Sequence, residues 1–146
     1  MFKKLRTFFT LLIIIASATA NADLAIIVHP DYQGGELDQD MVRKLFLGEN
    51  AAFPSGHKAQ VVNHSAGSPD RKAFFEYVLQ MSETKHKRYW ARKISIGKDG
   101  APTGLDSHRE ILNWAANTPL GITYIDNKVV DDSVKVLFTV TVFDDI

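Results

Sequence analysis

The sequence predicts an α/β fold in which helices cover a sheet. Residues 24–28 form a wholly apolar run rich in β-branched side chains, which is typical of a strand buried on both faces. Similar short runs alternate along the chain with amphipathic segments that begin with helix-capping residues. Of the 146 residues, 124 follow position 22, a length that suits one domain with its own core.

Three helices are predicted from their capping residues. The sharpest start is at residues 68–70, where Ser, Pro and Asp take the N-cap and the first helical positions. Asp38 is placed as the N-cap of an earlier helix that stops at Gly48. Ser107 and Glu110 have the spacing of a capping box.

A further helix is predicted after Ser82, and it carries a basic cluster. The cluster consists of Lys85, Lys87, Arg88, Arg92 and Lys93. We interpret it as a solvated helix face, with a binding patch as the alternative. Tyr89, Trp90 and Ile94 are expected in the core, although the two aromatic rings could instead stack on a ligand.

Three further strands are predicted, at residues 60–63, 122–125 and 134–143. The last one alternates in hydrophobicity and is longer than the usual strand of about five or six residues. At the edge of a sheet its free backbone groups would pair with a second chain, and Asp144 and Asp145 would limit further addition. We therefore expect a weak homodimer through this strand.

The first 22 residues are predicted to be a cleavable secretory signal peptide. Basic residues come first, an apolar run follows at residues 8–16, and small residues end in Ala20-Asn21-Ala22. A membrane anchor is the alternative, but the run is shorter than the roughly 20 residues of a spanning helix. We expect a mature chain that begins at Asp23, and a soluble periplasmic protein whose domain covers residues 23–146.

Composition excludes several classes of function. The chain has no cysteine, which excludes disulfides, thiol catalysis and zinc–thiolate sites. Three of the 17 basic residues precede position 22, which leaves 14 basic beside 17 acidic residues and no general attraction to nucleic acid or to anionic membranes. The five histidines lack metal-ligand spacing, and neither a nucleophile elbow nor a nucleotide-binding glycine motif is present. We therefore expect no enzymatic activity, no metal and no cofactor.

The most suggestive local site lies where the second strand ends and the sharpest helix begins. His64, Ser65, Gly67 and Ser68 lie there, and ligands of open α/β sheets gather outside the carboxyl ends of strands. A helix N-terminus offers free N–H groups to an anion, glycine permits close approach, and the hydroxyls add donors. His29 also ends a strand and is placed beside this anion site. The alternative is that Ser68 only caps its own helix.

The order of elements resembles that of the phosphate-binding proteins of bacterial ABC transporters and of their short relatives with a periplasmic-binding-protein-like domain. The similar stretches cover most of residues 24–126 and are 25–30 (AIIVHP), 44–48 (KLFLG), 67–68, 89–90 (YW) and 119–124 (PLGITY). The resemblance implies a single lobe of a type II periplasmic binding protein, with a mixed sheet flanked by helices.

The resemblance also implies where phosphate would bind, and there the sequence departs from the family. Full-length members close two lobes on phosphate, whereas 124 residues suffice for roughly one lobe. Their phosphate loop resembles Arg-x-Asp-Gly-Ser-Gly-Thr, of which this chain keeps Gly67 and Ser68. His64 stands at the Arg position and Asp70 at the Thr position. Loss of the guanidinium and gain of a carboxylate predict weak phosphate binding.

Two hypotheses of function follow. The leading one is an exported, non-enzymatic solute-binding-protein-like domain that binds phosphate or another oxyanion weakly at residues 65–68, for an ABC-type uptake or sensing system. The other is a ligand-free periplasmic interaction module that binds a membrane partner such as a sensor or transporter subunit.

Overall fold

The computed structural model describes residues 23–143. The predicted signal peptide and the pair Asp144-Asp145 lie outside the described residues. The helices are α1 (Gln39–Phe46), α2 (Pro69–Phe74), α3 (Glu83–Ser95) and α4 (His108–Asn117), with a π-helical segment at Phe75–Leu79 and a 3-10 turn at Asn127–Val129. The strands are β1 (Leu24–Val28), β2 (Gln60–Val61), β3 (Asn63–His64), β4 (Gly104–Leu105), β5 (Gly121–Asp126) and β6 (Lys135–Val140).

The main sheet is mixed and has the strand order β2-β5-β1-β6. β1 pairs antiparallel with both β5 and β6, whereas β2 runs parallel to β5. A second, two-stranded parallel sheet joins β3 to β4. The prediction of an α/β fold with a mixed sheet flanked by helices is confirmed.

The core lies on both faces of β1. Leu24, Ile26 and Val28 pack into a large cluster with α1, α2 and the π-helical segment. Ala25 and Ile27 point the other way, into a smaller cluster with α4. All five β1 residues are buried, which confirms that the apolar run at residues 24–28 is a strand covered on both sides.

The predicted helix starts are confirmed by their capping bonds. Asp38, Ser68 and Ser107 each accept a hydrogen bond from the backbone N–H three residues further on, at 2.8, 3.3 and 3.1 Å. The capping box differs in one detail, because the Glu110 carboxylate accepts from the N–H of Asp106 instead of Ser107.

The predicted second strand is divided in two by its polar end. β2 belongs to the main sheet, but the backbone N–H of Asn63 donates to the carbonyl of Thr103 at 2.8 Å and joins the second sheet. Sequence reasoning missed β4, which supplies that pairing, because a two-residue strand inside a glycine-rich loop has no periodic signal.

Two other expectations are wrong in part. Trp90 is buried as predicted, but Ile94 on the same helix is 56% exposed. β6 spans six residues, shorter than the ten predicted, and a register shift between Ile26 and Ile27 interrupts its pairing with β1. β6 does lie at the edge of the main sheet, as expected.

Among residues 23–143, no helix has the length and apolar character to cross a membrane.

Candidate functional site

The predicted anion site is an exposed turn between β3 and α2. The N–H of Ser65 donates to Leu105 at 2.9 Å, and the N–H of Ser68 donates to Ser65 at 3.2 Å, so both ends of the turn are fixed. Ala66 and Gly67 are exposed between them. Gly67 has a φ of +88°, and a Cβ there would meet no atom within 4 Å. The turn therefore offers an open backbone surface.

The His64 side chain lies beneath this turn and does not reach its surface. His64 is 2% exposed, and its Nε2 donates to the carbonyl oxygen of Tyr124 at 2.6 Å. The imidazole also stacks on the Tyr124 ring, with centroids 4.7 Å apart. Burial lowers the pKa of His64, so the ring stays neutral near pH 7 and its N–H is already used.

Asp70, which the sequence places in the first turn of a helix, is a buried junction between elements. Its Oδ2 accepts from the backbone N–H of Asp126 and from Nε2 of His108, each at 2.9 Å. The same oxygen is 3.9 Å from Nδ1 of His64. This carboxylate therefore ties α2 to β5 and to the start of α4.

The Tyr124 hydroxyl completes the buried polar network. It donates to Oδ1 of Asn63 at 2.7 Å and accepts from the backbone N–H of His64 at 3.3 Å. Burial raises the pKa of Tyr124 far above its ordinary value, so the hydroxyl remains protonated. Nδ2 of Asn63 has no hydrogen-bond partner among the residues that the structure describes. We call the buried residues His64, Asp70, Tyr124 and Asn63 the His64 cluster; His108, whose side chain is exposed, lies at its border.

The guanidinium of Arg71 is close to the turn but is held elsewhere. It donates to both carboxylate oxygens of Glu83, at 2.6 and 3.0 Å, and to the carbonyl of His64 at 2.8 Å. It also lies over the Phe75 ring, 4.5 Å from the centroid. The hydrogen bond from Arg71 lowers the pKa of Glu83, so this pair is ionised at neutral pH.

The two serine hydroxyls are also engaged. Ser65 Oγ donates to the carboxylate of Asp106, and Ser68 Oγ accepts the capping bond of α2. Sequence reasoning missed Asp106 and His108, because both come to the turn through the β3–β4 pairing. The local sign of them is that they flank the Ser107 cap, Asp106 directly before it and His108 directly after it.

His29 is not part of this cluster. It follows Val28, which pairs with Ile122, whereas the Asp126 that touches Asp70 pairs with Leu24 at the opposite end of β1. Four strand residues separate the two ends by about 13 Å. Nδ1 of His29 accepts instead from the N–H of Asp31 at 3.0 Å. The expectation that His29 lies beside the turn is wrong, because β1 runs antiparallel to β5.

Metal binding has no candidate in this region. Within residues 23–143, no three His, Asp or Glu side chains are arranged to hold a metal ion. What the turn can provide is an open stretch of backbone flanked by two carboxylates, those of Asp70 and Asp106.

No protein-family model matches the sequence, and a search of curated proteins finds no match. Solved structures do match. An ABC-type phosphate transport receptor from Vibrio cholerae has a TM-score of 0.61 and 16% identity over 79% of this chain and 46% of its own. A protein from Clostridium perfringens, described as a phosphate ABC transporter substrate-binding protein with bound phosphate, has a TM-score of 0.62 and 21% identity over 79% and 44%. PstS from Borrelia burgdorferi has a TM-score of 0.59 and 14% identity over 80% and 47%.

These similarities bear on the fold. The chain spans a little under half the length of each of the three proteins, which is the extent expected of one lobe. Two of them are described as a phosphate transport receptor and a phosphate ABC transporter substrate-binding protein. The resemblance predicted from the sequence is confirmed: this chain has the fold of a phosphate-binding protein of the ABC transporter type, in a single-lobe length.

Proposed function

We propose that this domain is an exported solute-binding-protein-like module that acts by contact with a membrane transporter or sensor subunit. The observation that carries the proposal is the burial of the His64 cluster. An oxyanion at this position would have to be held by the imidazole of His64, which replaces the family's arginine, and by the start of α2 beside it. Both are already engaged in contacts within the protein.

Charge at the turn supports the same conclusion. Asp70 is buried with its carboxylate on the first turn of α2, and Ser65 donates to the carboxylate of Asp106. An incoming phosphate would face these two negative charges, while Arg71 remains paired with Glu83. Each of these features lowers the affinity of the turn for an anion.

A titration with inorganic phosphate and with sulfate, followed by NMR, tests the proposal. We expect the backbone amide signals of residues 65–71 to show no saturable shift below about 10 mM anion. A dissociation constant above this value corresponds to a binding free energy of less than about 3 kcal/mol. Micromolar phosphate binding at any surface of the domain would overturn the interaction-module proposal.

Partner contact is tested by photo-crosslinking in cells. A crosslinking amino acid is placed singly at exposed positions on different faces, for example at Lys58, Arg88 and Lys128. We expect one face to yield a defined adduct with an integral membrane protein of a transport or sensing system. If no position on any face yields such an adduct, the proposal is contradicted.

Weak oxyanion binding is the second candidate, and one observation favours it. The backbone at Ala66 and Gly67 is exposed and unobstructed, as a site built from N–H groups requires. If the turn binds phosphate in the millimolar range, Ala66→Asp should abolish the amide shifts. Ala51→Asp, at another exposed alanine, is the matched control and should leave them unchanged.

A further inference from the structure

The outward side of α3 carries cations that have no acidic partner. The exposed ones, together with one in the loop that follows, are Lys85, Lys87, Arg88, Arg92 and Lys98. Within residues 23–143, every ion pair involves other residues. Lys93 is different, because its ammonium donates to the carbonyl of Leu47 at 2.6 Å. We call these five exposed cations the basic face.

Exposed apolar side chains adjoin the basic face at its C-terminal end. Ile94 is 56% exposed and Ile96 is 69% exposed. Ile94 also lines a shallow open groove with Lys87, Ala101 and Pro102. They are two of the three large apolar side chains that are exposed among residues 23–143, the third being Phe143, and they lie close together in the sequence.

The helix geometry makes this surface convex and extended. His86 and Trp90 are the buried residues of α3, and the basic face lies around the opposite side. Thirteen helical residues extend for about 20 Å, so the cations are distributed along a ridge. A ridge of this kind fits a flat anionic surface, whereas a compact acidic ligand needs a concave site.

We propose that the basic face of α3, with Ile94 and Ile96, binds the surface of an anionic phospholipid bilayer. The ammonium and guanidinium groups would contact lipid phosphates, and the two isoleucine side chains would enter the headgroup region. The acidic residues elsewhere in the domain do not prevent this, because charges are screened within about 8 Å at physiological salt. The proposal does not depend on the membrane protein partner proposed above.

Vesicle co-sedimentation tests the proposal. The probe is a vesicle of 30% phosphatidylglycerol in phosphatidylcholine, compared with pure phosphatidylcholine, at low and at high salt. We expect binding to the anionic vesicles alone, weakened by salt. Each variant is prepared in the same way as the parent protein, so that all samples either keep or lack residues 1–22. Any contribution of these residues to vesicle binding is then the same in every sample.

The triple variant Lys87→Glu, Arg88→Glu, Arg92→Glu should bind at least a hundredfold more weakly, because each cation near an anionic surface contributes about fivefold. Its matched control reverses three exposed lysines on other faces, Lys58, Lys128 and Lys135. This control should bind nearly as well as the parent protein, and circular dichroism should show that both variants fold.

The double variant Ile94→Ser, Ile96→Ser measures the apolar contribution to vesicle binding. We expect its affinity for anionic vesicles to be several-fold lower than that of the parent protein, at low and at high salt alike. Three results would overturn the proposal: no binding of the parent protein to anionic vesicles, an equal loss in the lysine control, or binding to soluble polyglutamate without binding to vesicles. The last result would assign the basic face to an acidic protein.

Discussion

Removal of one hydroxyl should reveal how much the His64 cluster contributes to stability. Tyr124→Phe deletes a group that donates to Asn63 at 2.7 Å and accepts from His64 N–H at 3.3 Å. The Phe ring can keep the stacking on Phe74, where the centroids are 3.8 Å apart. The substitution leaves Oδ1 of Asn63 and the backbone N–H of His64 without this partner, at a cost of about 1–3 kcal/mol each. Because the bond to His64 is long, we expect the free energy of unfolding to fall by about 2–4 kcal/mol in total.

Urea unfolding measures this loss. With an m-value of about 2 kcal/mol/M for a domain of this size, the midpoint should fall by about 1–2 M. Tyr77→Phe is the matched control: its hydroxyl bonds to the backbone of Phe143 at the surface, where water replaces it, and the loss should stay within about 0.5 kcal/mol. If the two variants unfold at the same urea concentration, the reasoning is refuted.

Three other predictions concern pH, processing and assembly. Burial lowers the pKa of both His64 and His86, so the unfolded chain binds more protons than the folded protein as the pH falls through the ordinary histidine pKa of about 6.5. The free energy of unfolding should therefore decrease from pH 8 to pH 5.5, and urea midpoints that stay level or rise over this range would contradict the prediction. Intact-mass measurement of periplasmic material should show a chain that begins at Asp23, and a mass that includes residues 1–22 would exclude cleavage. Sedimentation should detect a weak homodimer through the edge strand β6, whereas a monomer at every accessible concentration would reject it.

Local signals in the sequence predicted most of the fold. The caps at Asp38, Ser68 and Ser107 depend on bonds within three residues, and the apolar run of β1 depends on burial of neighbouring side chains. Such short-range chemistry can be read directly. The resemblance to phosphate-binding proteins then implied a mixed sheet flanked by helices, but not the order or direction of its strands.

The site was predicted less well, because its contacts join distant parts of the chain. His64 was expected at the surface of the turn, yet its ring meets Tyr124, 60 residues away. Asp70 has the pattern of an ordinary first-turn carboxylate, and nothing local indicates that His108 and Asp126 would bury it. His29 was misplaced for the same reason, since strand direction is decided by pairing partners far along the sequence.

The position of β1 has a consequence for how this protein reaches its folded state. β1 opens the described chain but lies inside the sheet, between β5 and β6, and Leu24 pairs with Asp126 and Val140. During synthesis, β1 has no sheet partner until about a hundred further residues have been made. Contacts at such separation form late and slowly. A chain whose central sheet closes late remains unfolded for longer after synthesis. This delay would favour the export proposed above, because a translocation channel passes extended chains.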